Sequence, residues 1–179
     1  MEAIFEGVIM PEWKTMSEEE AVKTFEEDGY FDYQKRTMRY GDKLPADSIW
    51  ATAPATMFVL FNEDIPVGVV GFSKYKNVLL GAGIHIREEC RGKNLGPEWK
   101  GMIGKALISK VVKEKGNRNL YINVPNKHIS SYYYELGFID MDKESLPIEI
   151  QEELEGIEYF NQLQKWMKIS DEWFNMVMI

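Results

Sequence analysis

Three runs of strand-forming residues follow one another in the middle of the chain, between residues 55 and 89. They read ATMFVLFN, PVGVVGFSKYK and NVLLGAGIHIREE, and the segment NEDI forms a turn between the first two. Strands joined by such short turns pair with each other in opposite directions, so the runs predict an antiparallel meander. The rest of the chain has to pack around this meander.

Helical and strand-like segments alternate after the meander. Residues 97–115 carry apolar side chains three and four positions apart, which predicts an amphipathic helix that ends at Gly116. The pattern then predicts a strand at 119–125, a short helix at 126–137, a strand at 138–142, a helix at 147–168 and a last strand at 172–179. Connections of the strand–helix–strand kind indicate a mixed α/β sheet.

The N-terminal third predicts a strand at 3–10 and a helix at 17–29. Ser17 is placed to cap this helix, with Glu20 in the capping-box position and Gly29 at the end. Residues 30–54 predict helical turns and loop. The expected fold is α/β: a mixed, mostly antiparallel central sheet of about seven strands with flanking helices. We expect one domain over residues 1–179, with a helical insertion at about 143–171 between the last two strands.

Composition narrows the classes of function. A chain of 179 residues that is 45% hydrophobic can build its own core, and its net charge of −8 disfavours a surface that binds nucleic-acid phosphates. One cysteine and two histidines provide neither a disulfide nor the spacing of a metal site. No apolar run approaches the roughly 20 residues of a membrane span, and the N-terminus is acidic. We therefore expect a cytoplasmic protein with no membrane or metal partner.

The segment IREECRGKNLGPEWKG, residues 86–101, joins a predicted strand to a predicted helix. Backbone N–H groups and the helix dipole at such a junction can hold phosphate. Gly92 and Gly96 allow a close approach, Asn94 tolerates a positive φ, and Arg91 and Lys93 add positive charge. In isolation, a glycine-rich turn before a helix is more often only a turn.

Two segments together resemble the signatures of the GNAT superfamily of acyl-CoA-dependent N-acyltransferases. The first resembles the pyrophosphate loop and comprises Arg91, Gly92, Lys93, Asn94, Leu95 and Gly96. The second places Tyr133 seven residues after Asn126, followed by Leu136, Gly137 and Phe138. Asn94 departs from the pattern because the family has glycine there. The resemblance covers residues 55–142.

A second, shortened copy of the loop pattern lies in PEWKGMIGKALI. Lys100, Gly101 and Gly104 are therefore an alternative phosphate loop. Residues 91–96 fit better, because Ile86 falls where the family has the apolar residue that ends its fourth strand.

The resemblance implies a cleft between the fourth and fifth strands that holds the pantetheine arm of acetyl-CoA. Backbone groups of Ile84, His85 and Ile86 would bond that arm, and Asn126 would bond the cofactor or an ordered water. Tyr133 would protonate the departing thiolate. A strand edge left unpaired by the protein suits an amide-rich arm, which can pair with it instead.

The residue that removes a proton from the amine is less clearly marked. The family positions for a base fall on Leu80 and Ala82, which cannot titrate. His85 lies on the same strand, although strict alternation points it to the opposite face from Ala82. The other titratable residues nearby, Glu88, Glu89 and His128, are no better placed. A water, or an acid from the late helix, remains an alternative base.

The late helix also bears on the acceptor. The segment 143–171 that includes it carries the acids Glu144, Glu149, Glu152, Glu153, Glu155 and Glu158, which would attract a cationic amine. The other interpretation is a solvated face, with Gly156 as a bend and the opposite face packed on the sheet through Leu154, Ile157, Phe160, Leu163 and Met167.

The resemblance implies an acetyl-CoA-dependent N-acetyltransferase that acts on a primary amine of a small molecule or protein. One alternative is a GNAT-fold protein that binds CoA or a partner without catalysis, because the usual base is missing. A second, a modifier of nucleic-acid bases, is disfavoured by the acidic charge. The identity of the acceptor and the presence of a homodimer stay open.

Overall fold

The computed structural model describes residues 11–28, 55–75, 77–91, 103–124, 127–154 and 165–179. Seven strands within these ranges form one sheet in the order β1-β2-β3-β4-β5-β7-β6. Every neighbouring pair is antiparallel except β4 and β5. The strands are β1 (Glu12–Ser17), β2 (Ala55–Asn62), β3 (Ile65–Tyr75), β4 (Val78–Ile86), β5 (Leu120–Val124), β6 (Phe138–Met141) and β7 (Lys165–Ile169). The predicted mixed, mostly antiparallel sheet and its central meander are confirmed.

Five α-helices accompany the described part of the sheet. They are α1 (Glu18–Thr24), α2 (Ile103–Lys115), α3 (Lys127–Glu135), α4 (Ile148–Leu154) and α5 (Asp171–Met178). None of these helices is both long and apolar enough to cross a bilayer. The expected strand at 3–10, the segment 30–54 and the predicted start of a helix at 97–102 lie outside the described residues.

The N-terminal cap of α1 is as predicted, but its end is not. The Ser17 side chain accepts from the Glu20 N–H, and the Glu20 carboxylate accepts from the Ser17 N–H at 2.8 Å. The helix ends at Thr24 rather than at Gly29, and a 3-10 turn follows at Glu26–Asp28. The Asp28 N–H bonds the Phe25 carbonyl at 3.0 Å, which tightens the chain out of the α-helical path.

The predictions for the C-terminal segment are wrong. Residues 165–168 belong to β7 rather than to a helix, so buried Met167 is a strand residue, and residues 172–178 belong to helix α5 rather than to a strand. The strand forms because β7 pairs with β5 on one side and β6 on the other. Helix α5 starts where the Ser170 side chain accepts from the Trp173 N–H, a capping signal that the apolar run EWFNMVMI hides.

The sheet has two differently covered faces. On one face, α2 packs through Leu107 and Val111 into a large core that also contains Ile122 and Val124 of β5. On the other face, α1 and the following turn pack through Ala21 and Phe25 against β2 and β3. These are called the α2 face and the α1 face below.

We predict that Gly137→Ala destabilises the fold far more than Gly116→Ala. Both glycines have positive φ, +95° and +54°, which costs other residues about 1–2 kcal/mol. At Gly137 a Cβ would also lie 2.5 Å from Trp173 Cγ, which adds roughly 1–3 kcal/mol of overpacking. At Gly116 the nearest atom is Met178 Cε at 3.9 Å. Urea unfolding of both variants measures the difference. Equal losses in the free energy of unfolding would show that the packing of Trp173 against Gly137 contributes nothing to the cost.

Candidate active site

Strand β4 contains a β-bulge in its middle. Across the β3–β4 pair, Gly71 lies opposite Gly83 and Phe72 lies opposite Gly81, so Ala82 is an extra residue on β4. Gly83 has φ of +139°, a conformation that suits glycine. A bulge bends the strand that carries it. Gly81 and Gly83, two glycines inside a strand, are the sequence signal of such a bulge.

The bend coincides with the point where β4 and β5 separate. Their parallel pairing consists of Leu79 with Leu120 and Leu80 with Tyr121. Beyond these two pairs, residues 81–86 and 122–124 form no ladder with each other in the described structure. We call this opening the fork. It is the cleft between the fourth and fifth strands that the resemblance implied.

Ile84, His85 and Ile86 lie on the β4 arm of the fork, as predicted. Their other edge is paired to β3, opposite Val70, Val69 and Gly68 respectively. The Arg91 side chain reaches back to this arm and donates from Nε to the Ile86 carbonyl at 3.0 Å. Arg91 therefore lies beside the fork, and its backbone N–H closes the preceding turn onto the Glu88 carbonyl at 3.2 Å.

The rest of the predicted phosphate loop, Gly92 to Gly96, lies outside the described residues, as do Lys100 and Gly101 of the alternative loop. Gly104 of the alternative loop is described. A Cβ at Gly104 would lie 2.6 Å from the Tyr132 hydroxyl oxygen and 2.8 Å from Leu136 Cδ2. The close packing of α3 on α2 therefore accounts for this glycine without a phosphate.

The three consecutive tyrosines of α3 have different surroundings. Tyr132 packs against α2, and burial raises the pKa of its phenol to about 12. The exposed Tyr134 donates to Asp140 Oδ1 at 2.5 Å and accepts from Lys165. Tyr133 lies between them, with its ring edge-on to Tyr132 at 5.8 Å and to Phe138 at 5.6 Å. Tyr133 thus lies on the α2 face, on the helix that follows β5, and Asn126 lies outside the described residues.

His85 projects to the α1 face. Its ring meets Phe25 edge-on at 5.5 Å, and its Nε2 lies 3.8 Å from Asp28 Oδ2. Burial lowers the pKa of His85, helped by the charges of Arg91 and Arg87 and opposed by Asp28. The imidazole is therefore neutral at pH 7 and able to accept a proton. The alternation argument that set His85 against Ala82 assumed a regular strand, and the bulge interrupts the alternation between the two residues.

The other candidate bases are less suited to that role. Leu80 is buried at the last β4–β5 pair, and Ala82 is the bulged residue. Glu88 is exposed, and Glu89 pairs with Arg87 Nε at 3.1 Å. The side chain of His128 lies outside the described part of the structure.

The late helix is shorter than predicted, and its described acids face solvent. Glu144, Glu149 and Glu152 are exposed, whereas Leu146 and Ile150 are buried. This arrangement fits the interpretation of a solvated face opposite an apolar one. Glu155, Glu158, Gly156, Ile157, Phe160 and Leu163 lie outside the described residues, together with the side chains of Glu153 and Leu154.

Comparison with known proteins finds similarity in structure only. No protein-family model and no curated protein matches the sequence. An acetyltransferase from Streptococcus agalactiae matches with a TM-score of 0.53 and 9% identity, over 89% of this chain and 97% of that one. The PaiA N-acetyltransferase from Thermoplasma acidophilum, solved with coenzyme A, matches with 0.51 and 15%, over 90% and 99%. An IAA acetyltransferase from Bacillus cereus matches with 0.51 and 16%, over 74% and 79%. At identities this low, the structural similarity shows a shared fold and no more.

We predict that His85 makes the folded state less stable in acid. The folded pKa of His85 lies below its ordinary value, so the unfolded chain binds the proton first as the pH falls through about 6.5. The contribution of His85 to stability is therefore present above pH 6.5 and declines as the pH falls toward the folded pKa. Urea unfolding between pH 7.5 and 5.5 should show a smaller loss for His85→Gln than for the unmodified protein. Identical losses would mean that His85 titrates normally.

Proposed function

Building on the GNAT fold of this chain, we propose that the protein is an acetyl-CoA-dependent N-acetyltransferase that acts on a primary amine. The observation that carries the proposal is the fork between β4 and β5. An ordinary sheet would satisfy these backbone groups with a ladder, and buried backbone groups need partners. An open fork is therefore suited to a ligand that brings its own amides.

Acetyl-CoA would bring those amides in its pantetheine arm, together with an acetyl group activated as a thioester. The residues fit this ligand: 84–86 lie on an open strand arm, and the arginine next to them, Arg91, supplies a cation for phosphate. Gly92, Lys93, Asn94, Leu95 and Gly96 follow Arg91 in sequence and complete the proposed phosphate site. Asn126 is proposed to bond the cofactor or a water.

Tyr133 is the proposed acid for the leaving sulfur. A phenol is a weak acid that can transfer a proton to a thiolate as it departs. Tyr132 fills the contact with α2, and Tyr134 bonds Asp140 and Lys165. The spacing of Tyr133 from Asn126 and the following Leu136-Gly137-Phe138 favour Tyr133 among the three.

His85 and a water are the proposed alternatives for deprotonating the amine. His85 is neutral at pH 7 because burial lowers its pKa, so it can accept a proton. Its place on the α1 face puts it opposite Tyr133, which lies on the α2 face. From opposite sides of the cleft, a base can take a proton from the attacking amine while an acid gives a proton to the leaving thiolate.

A second candidate function is binding of CoA without catalysis. One observation favours it: neither Leu80 nor Ala82, the two family positions for a base on β4, can titrate. In that case the fork and Arg91 would serve binding alone.

We predict that Tyr133→Phe lowers kcat for amine-dependent CoA release by about 100-fold or more, with little change in acetyl-CoA affinity. Tyr134→Phe is the matched control, because it removes a hydroxyl one residue along that bonds Asp140 instead. Its kcat should stay within about twofold of the unmodified enzyme. Thiol release and calorimetric titration of acetyl-CoA measure the two quantities, with a panel of amino acids, peptides and polyamines as acceptors.

The same experiment separates the two candidate functions. Acetyl-CoA binding without turnover of any amine would favour the non-catalytic protein. Failure to bind acetyl-CoA or CoA at millimolar concentration would remove both. Equal effects of the two tyrosine variants would withdraw the role of Tyr133 alone.

A further inference from the structure

The β5 arm of the fork carries a half-buried asparagine, Asn123. Asn123 lies two residues beyond Tyr121, the last residue of β5 that pairs with β4. Its side-chain Nδ2 is shielded from solvent and donates to no acceptor among the described residues. A buried N–H without a partner destabilises the fold by roughly 1–3 kcal/mol, so we expect this group to bond a ligand.

The register of the sheet shows which face Asn123 occupies. Ile122 and Val124 project into the core on the α2 face, so alternation places Asn123 on the opposite face, beside its β7 partner Trp166. Pairing across the sheet runs from Tyr121 through Leu80 and Ser73 to Ala55. Ala55 packs against the α1 core, so Asn123 shares the α1 face.

His85 is on this same face of the other arm. Its register partner Val69 belongs to the α1 core, and its ring meets Phe25. The α1 face of the fork therefore presents one polar side chain from each arm, Asn123 from β5 and His85 from β4. Neither carries a net charge at pH 7.

The two faces of the fork would serve different substrates, which rests on the function proposed above. Tyr133, the proposed acid for the thiolate, is on the α2 face, as is the helix that follows the proposed phosphate loop. An amine that attacks a thioester lodged in the fork has to come from the face that the cofactor leaves open. That is the α1 face.

We propose that Asn123 recognises the acceptor, by donating its side-chain N–H to an oxygen adjacent to the reacting amine. The substrate class is then an amine with a neighbouring carboxylate or carbonyl group, such as an α-amino acid or a peptide N-terminus. A simple alkyl amine or a polyamine has no oxygen for this donor and would leave it unpaired. Sites that leave a buried donor unpaired reject such ligands strongly.

The charges on this face agree with an oxygen-bearing acceptor. Arg87, which follows β4 directly, pairs with Asp28 Oδ2 and Glu89 Oε1, each at 3.1 Å. The described acids of α4 are in solvent rather than gathered around a site. The α1 face of the fork thus offers a neutral hydrogen-bond donor, Asn123 Nδ2, beside an arginine that two carboxylates already engage.

The test compares acceptors that differ only in the oxygen-bearing group next to the amine. Alanine, alaninamide and ethylamine form one set, and phenylalanine, phenylalaninamide and phenethylamine form another. For each set kcat/KM is measured with unmodified protein, Asn123→Ala and Asn123→Asp, which keeps the size of asparagine but removes its N–H donors. Comparing ratios between variants cancels the intrinsic reactivity of each amine.

The unmodified protein should prefer the oxygen-bearing members, and Asn123→Ala should reduce that preference by about tenfold or more. Asn123→Asp should reduce it at least as far. If the recognised group is a carboxylate, the kcat/KM of alanine and phenylalanine should fall most in the variants. If it is a carbonyl, the kcat/KM of the two amides should fall as well. Acetyl-CoA affinity and melting temperature, measured on the same preparations, should stay nearly unchanged.

Three results would overturn the inference. The first is an unchanged ratio in both variants, and the second is a loss confined to acetyl-CoA affinity, which would assign Asn123 to the cofactor. The third is neither turnover nor calorimetric binding, to the CoA-bound protein, of any oxygen-bearing member. In all three, acetyl-CoA-dependent turnover of any amine by the unmodified protein leaves the proposed function standing, whereas failure to bind acetyl-CoA removes that function separately.

Discussion

The bulge at Ala82 is the constraint on which the rest of the structure depends. It inserts one residue into β4 where that strand stops pairing with β5, and it keeps β4 paired with β3 on its other edge. A continuous β4–β5 ladder would satisfy the backbone on both sides and leave no place for a ligand between the strands. The bend therefore converts the centre of a sheet, normally its best-satisfied region, into an edge.

The two faces of this edge have distinct chemistry. The α2 face holds aromatic side chains of α3, among them Tyr133, in contact with the main core. The α1 face holds the polar side chains of His85 and Asn123, one from each arm. Burial keeps His85 neutral, and Arg87 is engaged by two carboxylates. Two substrates that meet in one cleft can then be bound from opposite faces by different side chains.

Local signals predicted much of the fold. The meander followed from strand patterns and a tight turn, and the start of α1 followed from Ser17 and Glu20, because such features depend on residues a few positions apart. The prediction for the C-terminal segment was wrong because its structure depends on residues that are distant in the sequence. Residues 165–169 form a strand because β5 and β6 flank them, and EWFNMVMI is too short and apolar for its period to separate helix from strand. The cap at Ser170 was the overlooked local signal.

The candidate site divides in the same way. The motif around residues 126–138 made Tyr133 a candidate, and the resemblance implied a cleft between the fourth and fifth strands, whereas nothing in the sequence marks Asn123. Its strand, LYINV, has an unremarkable pattern, and the shielded, unpaired Nδ2 is recognisable only in the assembled sheet. Unsatisfied burial is a property of the assembled sheet, so it follows from tertiary structure alone.

Hydrogen exchange of the backbone amides, with and without acetyl-CoA, tests the central claim most directly. If the fork takes the pantetheine arm, acetyl-CoA should slow exchange at 81–86 on β4 and at 122–124 on β5, while β1 and β2 change little. Slowed exchange elsewhere, with the two arms of the fork unaffected, would contradict the account.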